Sequence, residues 1–409
     1  MSQPNAQAAP VTARNTDLEQ IAGILRTQQI TKLDVVAPAT ALYMSGGNLV
    51  LSGMEHILDD NGVTDPNGEY NPTQIFDQGA ATRLGIPAGY YNRMRANNID
   101  LLDLSVNSWL RHADNSHNHY LIRAFRNLEG GPGTARAMLS DVYRPIDHLD
   151  VLVAALDGVR NAGVHTTVDS CDLSERRMRI RLACPEIRAL APTLLRGYRP
   201  GFDIDQPRAG GWTLESARNA ANREGKQYEP GTEPVVFAGF EIGNSETGHG
   251  KFSITPRLIV QACRNGLRIE VDAFATQHLG AKLSAGVVRW SDDTLARNLA
   301  LVTAQTRDAV TQFCDPRYAQ GVIDRLEKDA DRPVDEPEAT MKVVGQKLQF
   351  SEAQREDVLR HFILGGQPTC GGVLNAITSA AQFVADPDEA AAMESKAVQG
   401  MQVAASLAG

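Results

Sequence analysis

The hydrophobic period changes along this chain, and that change constrains the fold more than any other feature of the sequence. In residues 18–25 apolar residues recur at intervals of three and four, the pattern of an amphipathic helix. In residues 178–182 apolar and polar residues alternate, the pattern of a strand with one buried face. Helical spacing returns after residue 292. We therefore predict an α+β fold with a mainly antiparallel sheet built from hairpins, framed by N-terminal and C-terminal helical regions.

These patterns divide the chain into four segments. Residues 1–15 are small and polar and predict a disordered tail. Residues 16–111 predict a helical N-terminal region, with short helices at 73–84, 87–97 and 99–111. Residues 112–290 predict an α+β core that holds the antiparallel sheet. Residues 291–409 predict a helical C-terminal region with an acidic, proline-bearing linker at 329–338.

The core is expected to contain three strand pairs. They join residues 120–126 to 134–139, 164–168 to 178–183, and 235–242 to 251–254. The glycine-rich residues 243–250 lack the following helix that a phosphate cradle needs, so they predict a flexible hairpin loop. A helical turn is predicted at 258–263. Asp147 and His148 follow a Tyr-Arg-Pro turn and are interpreted as caps of the next helix.

Charge is unevenly distributed along the sequence. The 409 residues carry 40 basic and 49 acidic side chains, a net charge of −9, which excludes a uniformly basic nucleic-acid binder. Residues 111–199, however, hold 13 arginines, no lysine and 10 acidic residues, a local net charge of +3. Arginine binds phosphate through a planar fork, which favours an anionic partner. The alternative is the arginine-rich codon usage of a GC-rich genome.

The arginine pattern that most clearly indicates a binding face lies in Ser174-Glu-Arg-Arg-Met-Arg-Ile-Arg-Leu182. Alternation places Arg177, Arg179 and Arg181 on one face of a strand, about 6.6 Å apart, a spacing that suits successive phosphates of an extended single strand. The competing interpretation is a solvated sheet face whose arginines pair with acids on the neighbouring strand. Further arginines and aromatic rings on the adjoining hairpin could extend a binding face for stacked bases. They are Arg123, Arg126, Arg136 and Arg144, with Tyr120, Phe125 and Tyr143.

A histidine-rich segment is the candidate for metal chemistry. His112, His117 and His119, with Asp114, could ligate a divalent metal, although such loops are more often merely polar. No second cluster of acids or cysteines accompanies them, and neither a nucleophile-elbow nor a zinc-protease motif occurs. No cofactor is therefore expected, and nothing in the sequence indicates an enzyme.

The five cysteines lie 13, 79, 51 and 56 residues apart, without the spacing of a metal knuckle or a redox motif. We predict reduced thiols in a cytoplasm. The first residues lack the pattern of an export signal, and no apolar run is long enough to span a bilayer, so no membrane partner is expected.

The chain resembles a phage- and plasmid-borne family known as domain of unknown function 932. The resemblance rests on Leu139-Ser-Asp-Val-Tyr-Arg-Pro-Ile146, Cys263-Arg-Asn-Gly266 and Asn375-Ala-Ile-Thr378, and it extends over about residues 107–385. It implies an origin in a mobile element, an actinobacterial phage or prophage, whose genes often neighbour replication and recombination genes. It implies no catalytic residue.

Three functions are compatible with the sequence. The first is a non-enzymatic, homo-oligomeric protein that binds single-stranded nucleic acid, with a role in annealing or recombination. The second is an interaction or structural-assembly protein that binds a host or phage protein without nucleic acid. The third is a metal-dependent nuclease that uses the histidine-rich segment. We rank them in that order.

Overall fold

The chain folds as two antiparallel-rich sheets and a helical C-terminal layer. The computed structural model describes residues 11–59, 62–196, 198, 235–260, 266–268, 274–276, 286–287 and 292–408. Its helices are α1 Leu18–Thr31, α2 Gln74–Leu84, α3 Ala88–Asn97, α4 Ile99–Arg111, α5 His148–Asn161, α6 Asp292–Phe313, α7 Pro316–Ala330, α8 Pro337–Lys347, α9 Glu352–Gly365, α10 Cys370–Ala381, α11 Pro387–Ser395 and α12 Ala397–Leu407. The α+β prediction, with helices towards both ends, is confirmed.

The strands are β1 Ala13–Thr16, β2 Lys32–Pro38, β3 Leu42–Ser45, β4 Asn48–Leu51, β5 Ile57–Asp59, β6 Gly62–Thr64, β7 Gly68–Pro72, β8 His119–Phe125, β9 Gly133–Ser140, β10 Thr167–Leu173, β11 Met178–Leu190, β12 Val235–Asn244, β13 Phe252–Val260, β14 Gly266–Arg268, β15 Phe274–Thr276 and β16 Gly286–Val287. Sheet I has the order β1-β10-β11-β12-β13-β14, with β15 also paired to β13, and its described pairs are antiparallel. Sheet II has the order β16-β2-β8-β9-β7-β4-β3, in which β7 and β9 are parallel. Strands β5 and β6 form a separate two-stranded ribbon.

Each sheet buries one apolar face against helices. Alternating residues of β11, β12 and β13, such as Ile180, Phe240 and Ile254, pack with α1, α5 and the C-terminal helices in one large core. The second core lies between sheet II and helices α2 to α4. Gly158 brings α5 close to α6, because a Cβ atom there would lie 2.5 Å from the backbone oxygen of Thr303. Among the described helices, none is long and apolar enough to cross a membrane.

Two segment predictions differ from the structure. Residues 16–111 contain strands β2 to β7 as well as helices α1 to α4, so the prediction of a purely helical region is wrong. The predicted tail is also wrong at its end, because Ala13–Thr16 pairs with β10 and the Arg14 side chain is largely buried. The predicted turn at 258–263 is strand as far as Val260. The helical C-terminal region is confirmed from residue 292 onwards, with non-helical backbone between Ala330 and Pro337.

The sulfur atoms of Cys184 and Cys314 are bonded, so the prediction of reduced thiols is wrong for this pair. Cys184 lies on β11 and Cys314 follows α6, 130 residues later, with their Cα atoms 6.6 Å apart. Cys171 and Cys370 are buried free thiols. Spacing rules missed the pair because the two residues meet only through packing of α6 against the core that includes sheet I.

Candidate functional site

The predicted alternation on β11 is confirmed, and the structure shows where its arginines lie. Met178, Ile180 and Leu182 point into the core. Arg179 and Arg181 point to the opposite face, where they are only 6% and 4% exposed. The charged face of sheet I is therefore an interior surface in this conformation.

Four arginines on three strands of sheet I form what we call the arginine face. Its members are Arg14 on β1, Arg179 and Arg181 on β11, and Arg257 on β13. Each is buried or largely buried and lies within 4 Å of a carboxylate. Register explains the placement, because Arg179 lies opposite Asp172 of β10 and Arg181 lies opposite Glu241 of β12.

Strand carboxylates hold the centre of the arginine face. Arg14 and Arg181 each place Nη1 2.6 Å from the same Asp172 oxygen. Arg181 Nε and Arg257 Nη1 each lie 3.2 Å from one oxygen of Glu241. Burial alone would raise the pKa of Asp172, but the two neighbouring guanidinium groups outweigh it and lower the pKa. These groups are thus charged and mutually compensated.

Helix α11 covers the arginine face and supplies the remaining carboxylates. Asp388 lies 2.6 Å from Arg179 Nη1, and Glu394 lies 3.2 Å from Arg257 Nη1. Among the described residues, four guanidinium groups therefore meet four carboxylates, two from the strands and two from α11. Without α11 the face would carry two uncompensated positive charges.

Several N–H groups of the arginine face lack an acceptor among the described residues. They are Arg14 Nε and Nη2, Arg181 Nη2 and Arg257 Nε, all buried. Arg181 Nη2 lies 3.8 Å from Glu394, too far for a hydrogen bond. A buried donor without a partner costs about 1–3 kcal/mol, so the face has spare capacity for further acceptor oxygens.

The other predicted binding arginines are engaged elsewhere. Arg177 is half-buried and donates to the Lys251 carbonyl and to Ser253 Oγ, both at 3.1 Å. Arg126 donates to Thr64 Oγ1 and to the Ile30 carbonyl. Arg144 is buried and donates to the backbone of its own turn. These three side chains do not join the arginine face.

Arg123 and Arg136 belong to a second buried network, the inter-sheet cluster. Its members are Lys32, Asp34, Arg123, Arg136, Asp147, His148 and Glu246. Arg123 is completely buried and binds both oxygens of Asp34 at 2.8 Å, with Asp147 at the same distance. Arg136 lies 2.8 Å from Glu246 and over the buried Phe125 ring. These two predicted binding arginines are therefore buried in this conformation and lie outside the arginine face.

Glu246 links sheet I to helix α5. Its carboxylate accepts from the backbone N–H of His148, so a loop residue caps the helix, and Asp147 makes no side-chain cap. The predicted hairpin connection between β12 and β13 is confirmed; Asn244, Ser245, Glu246 and Thr247 within it are buried, whereas residues 248–250 are exposed. Burial lowers the pKa of His148 to about 4, against attraction from Glu246, so the imidazole is neutral at neutral pH.

In the described residues, the candidate aromatic side chains do not form a base-stacking surface, and the candidate histidines do not form a metal site. Tyr120 and Phe125 are buried, and Tyr143 donates to the Ser245 carbonyl, so these rings do not form an exposed stacking platform. His112 is exposed, its ring is tilted against that of Trp109, and its Nδ1 lies 3.3 Å from an Asp114 carboxylate oxygen. In the described part of the chain, no three His, Cys, Asp or Glu side chains cluster as metal ligands, and His117 and His119 join no such group.

Sequence reasoning missed Arg14, Arg257, Asp388, Glu394 and Glu246. Arg257 had a detectable pattern, because Ile254 and Leu258 are apolar while Thr255 and Arg257 are polar. The acids of α11 follow β11 by about 200 residues, and no local pattern connects them.

In the described residues, the fold is α+β with two large sheets, and the site consists of the arginine face, which helix α11 covers, and the inter-sheet cluster. Comparisons of the chain with protein-family models, with curated proteins and with solved structures find no match. The resemblance to domain of unknown function 932 therefore stays a prediction.

Proposed function

We propose that this chain is a non-enzymatic protein that binds single-stranded nucleic acid on the arginine face, after α11 leaves it. The observation that carries the proposal is the charge distribution on that face. Four guanidinium groups lie on one surface of sheet I, and half of their neutralising carboxylates come from one short helix. A polyanion could take the place of those two carboxylates.

Geometry favours an extended polyanion as the replacement. Arg179 and Arg181 are two residues apart on β11, about 6.6 Å along the strand, and Arg257 lies two strands away, about 9.6 Å across the sheet. Phosphates bound along these directions could also accept from the N–H groups that lack acceptors, which recovers part of their desolvation cost.

Helix α11 is held by modest apolar contacts, so its exchange is physically reasonable. The helix has nine residues, and its buried apolar side chains are Pro387, Ala390, Ala391 and Met393. Alanine buries little surface, and the stabilisation by buried apolar area scales with that surface. The ion pairs with the arginine face therefore add to these contacts and to two hydrogen bonds, from Gln354 to Glu389 and from Gln382 to Glu394, that also hold α11. The proposal also places the protein in the cytoplasm and includes self-association on a nucleic-acid strand.

The test is fluorescence anisotropy of a labelled single-stranded oligonucleotide across a salt series. Asp388→Asn keeps the side-chain shape but removes one of the negative charges that cover the arginine face. For a loss of about 1.4 kcal/mol in the interaction between α11 and this face, we expect the oligonucleotide to bind on the order of tenfold more tightly. Adding Arg179→Gln to that variant should weaken binding and reduce the log–log salt slope by about 0.7 per lost phosphate contact.

Arg297→Gln is the matched control. It removes the same charge from an exposed position on α6, where Arg297 pairs with Asp293. Its binding should equal that of the parent protein. Affinity that stays millimolar at low salt in both the parent and Asp388→Asn would refute nucleic-acid binding on this face.

A second candidate function is binding of a protein partner through the β5–β6 ribbon. Leu58 and Val63 lie directly opposite each other on this ribbon and are 63% and 77% exposed. Arg126 links the ribbon to the end of α1, where Ile30 is also exposed. Exposed neighbouring apolar side chains are typical of interaction surfaces.

The ribbon is tested by a pull-down from host lysate with and without nuclease. A stoichiometric, nuclease-resistant partner that is lost in Leu58→Ser/Val63→Ser supports this function. Capture that survives these substitutions refutes the ribbon as the binding surface.

A further inference from the structure

Cys184 and Cys314 connect two layers of the fold. Cys184 lies on β11 within sheet I, and Cys314 lies between helices α6 and α7. Their Cα separation of 6.6 Å is within the range that a disulfide spans without backbone movement. Both side chains are buried, so the bond forms part of the contact between sheet I and the C-terminal helices.

We propose that Cys184 and Cys314 form a reversible redox tether that fastens the C-terminal helical layer to sheet I. In the closing reaction the two thiols are oxidised by a small-molecule disulfide such as oxidised glutathione. One protein thiolate attacks that disulfide and releases one thiol, and the second protein thiolate then displaces the other. Each protein thiol loses a proton, the S–S bond forms, and two glutathione thiols result.

The tether joins strand β11 to the junction between helices α6 and α7. Val310 and Phe313, at the end of α6, belong to the large core, and the Cys314 N–H donates to the Val310 carbonyl. Helix α7 begins two residues after Cys314, and its N-terminus is capped by Asp315. Opening the bond would free this helix junction from β11, and the tether closes a chain segment of 130 residues.

The other described cysteines, Cys171 and Cys370, are buried free thiols. Burial raises the pKa of Cys171 to about 12, and burial raises the pKa of Cys370 to about 11. Thiolates are the reactive form, so both should react slowly. Disulfides are rare in a reducing cytoplasm, and those that occur there are usually redox-responsive, which agrees with a reversible role.

The tether is tested on the full chain in glutathione buffers of increasing oxidising strength. After equilibration the protein is unfolded in denaturant at low pH, which stops thiol exchange, and all free thiols are then blocked with N-ethylmaleimide before intact-mass analysis and peptide mapping. Of the five cysteines, all should be blocked under reducing conditions and three under oxidising conditions, with a linked Cys184–Cys314 peptide in the latter. Recovery of both residues as blocked thiols under every condition would overturn the proposal.

A stability measurement separates a tether from a passive bond. Oxidation should raise the thermal unfolding midpoint of the parent protein and slow hydrogen exchange at the end of α6. Cys184→Ser and Cys314→Ser should each lose this redox dependence, whereas Cys370→Ser should keep it. Where a variant does not fold, the test is made on the parent protein. The tether is refuted if a reductant does not open the disulfide of the folded protein, or if opening the disulfide leaves the thermal unfolding midpoint unchanged. None of these readouts depends on nucleic-acid binding.

Discussion

Replacing Glu246 by alanine should destabilise the whole fold, because this carboxylate serves three partners at once. It lies 2.8 Å from Arg136, 3.8 Å from Arg123, and accepts from the His148 N–H at the start of α5. Attraction from these groups outweighs burial and holds the pKa of Glu246 well below its usual range. The carboxylate is therefore charged in the folded protein at neutral pH.

The expected loss in the free energy of unfolding follows from the buried charge that the substitution leaves without a partner. Removing one partner of a buried ion pair costs about 3–5 kcal/mol, because the other charge stays buried without compensation. Loss of a helix N-cap costs about 1 kcal/mol more. Arg123 keeps Asp34 and Asp147, so the uncompensated charge is mainly that of Arg136. We expect a loss near the lower end, about 3–4 kcal/mol in the free energy of unfolding.

The assay is urea unfolding followed by far-ultraviolet circular dichroism. Glu246→Gln keeps an oxygen that can cap α5 but removes the charge, so it should lie between the parent and Glu246→Ala. Glu129→Ala, in the exposed β8–β9 loop, is the control and should change stability by less than about 0.5 kcal/mol. A loss below about 1 kcal/mol in Glu246→Ala would refute the role of Glu246 as the shared partner of Arg136 and of the N-terminus of α5.

Three further predictions concern the other buried groups. The pKa of His148 is about 4 in the folded protein against 6.5 ordinarily, so between these pH values the unfolded chain binds more protons than the folded one. The free energy of unfolding should therefore fall by up to about 1.4 kcal/mol per pH unit as the pH drops from 6.5 to 4. His148→Gln should flatten this part of the pH profile measured by urea denaturation. Arg181→Gln should lower the free energy of unfolding by about 3 kcal/mol in the same assay, whereas an unchanged value would mean that the arginine face is solvated. Gly158→Ala should lower the thermal unfolding midpoint, because its Cβ meets the Thr303 oxygen at 2.5 Å, and an unchanged midpoint would mean that α5 and α6 separate easily.

Long periodic elements could be predicted from the sequence, and short strands could not. The spacing in α4 and the alternation in β11 are both realised. Strands β3 and β4 have four residues each, too few for a clear period. Their turn, Gly46-Gly47, has positive φ at both residues, the conformation of a tight hairpin turn, and this dipeptide was the available indication of a hairpin.

Burial of the arginines could not be predicted from β11 alone, because alternation fixes which residues share a face but says nothing about what covers that face. For Arg179 the cover is Asp388, more than 200 residues later in the chain. Pairing with acids on the neighbouring strands was the alternative interpretation, and Asp172 and Glu241 provide it. The cover from α11 was not foreseen.

The two buried networks differ in how far they can be rearranged. In the inter-sheet cluster the cations Arg123 and Arg136 are matched by acids on β2 of sheet II, at the start of α5 and in the β12–β13 loop of sheet I. Exchange of those partners would require the sheets to separate. On the arginine face, by contrast, two of the four carboxylates lie on a single nine-residue helix near the end of the chain. A competing polyanion would have to displace only α11, and so this face, not the inter-sheet cluster, is where ligand binding and fold stability compete for the same guanidinium groups.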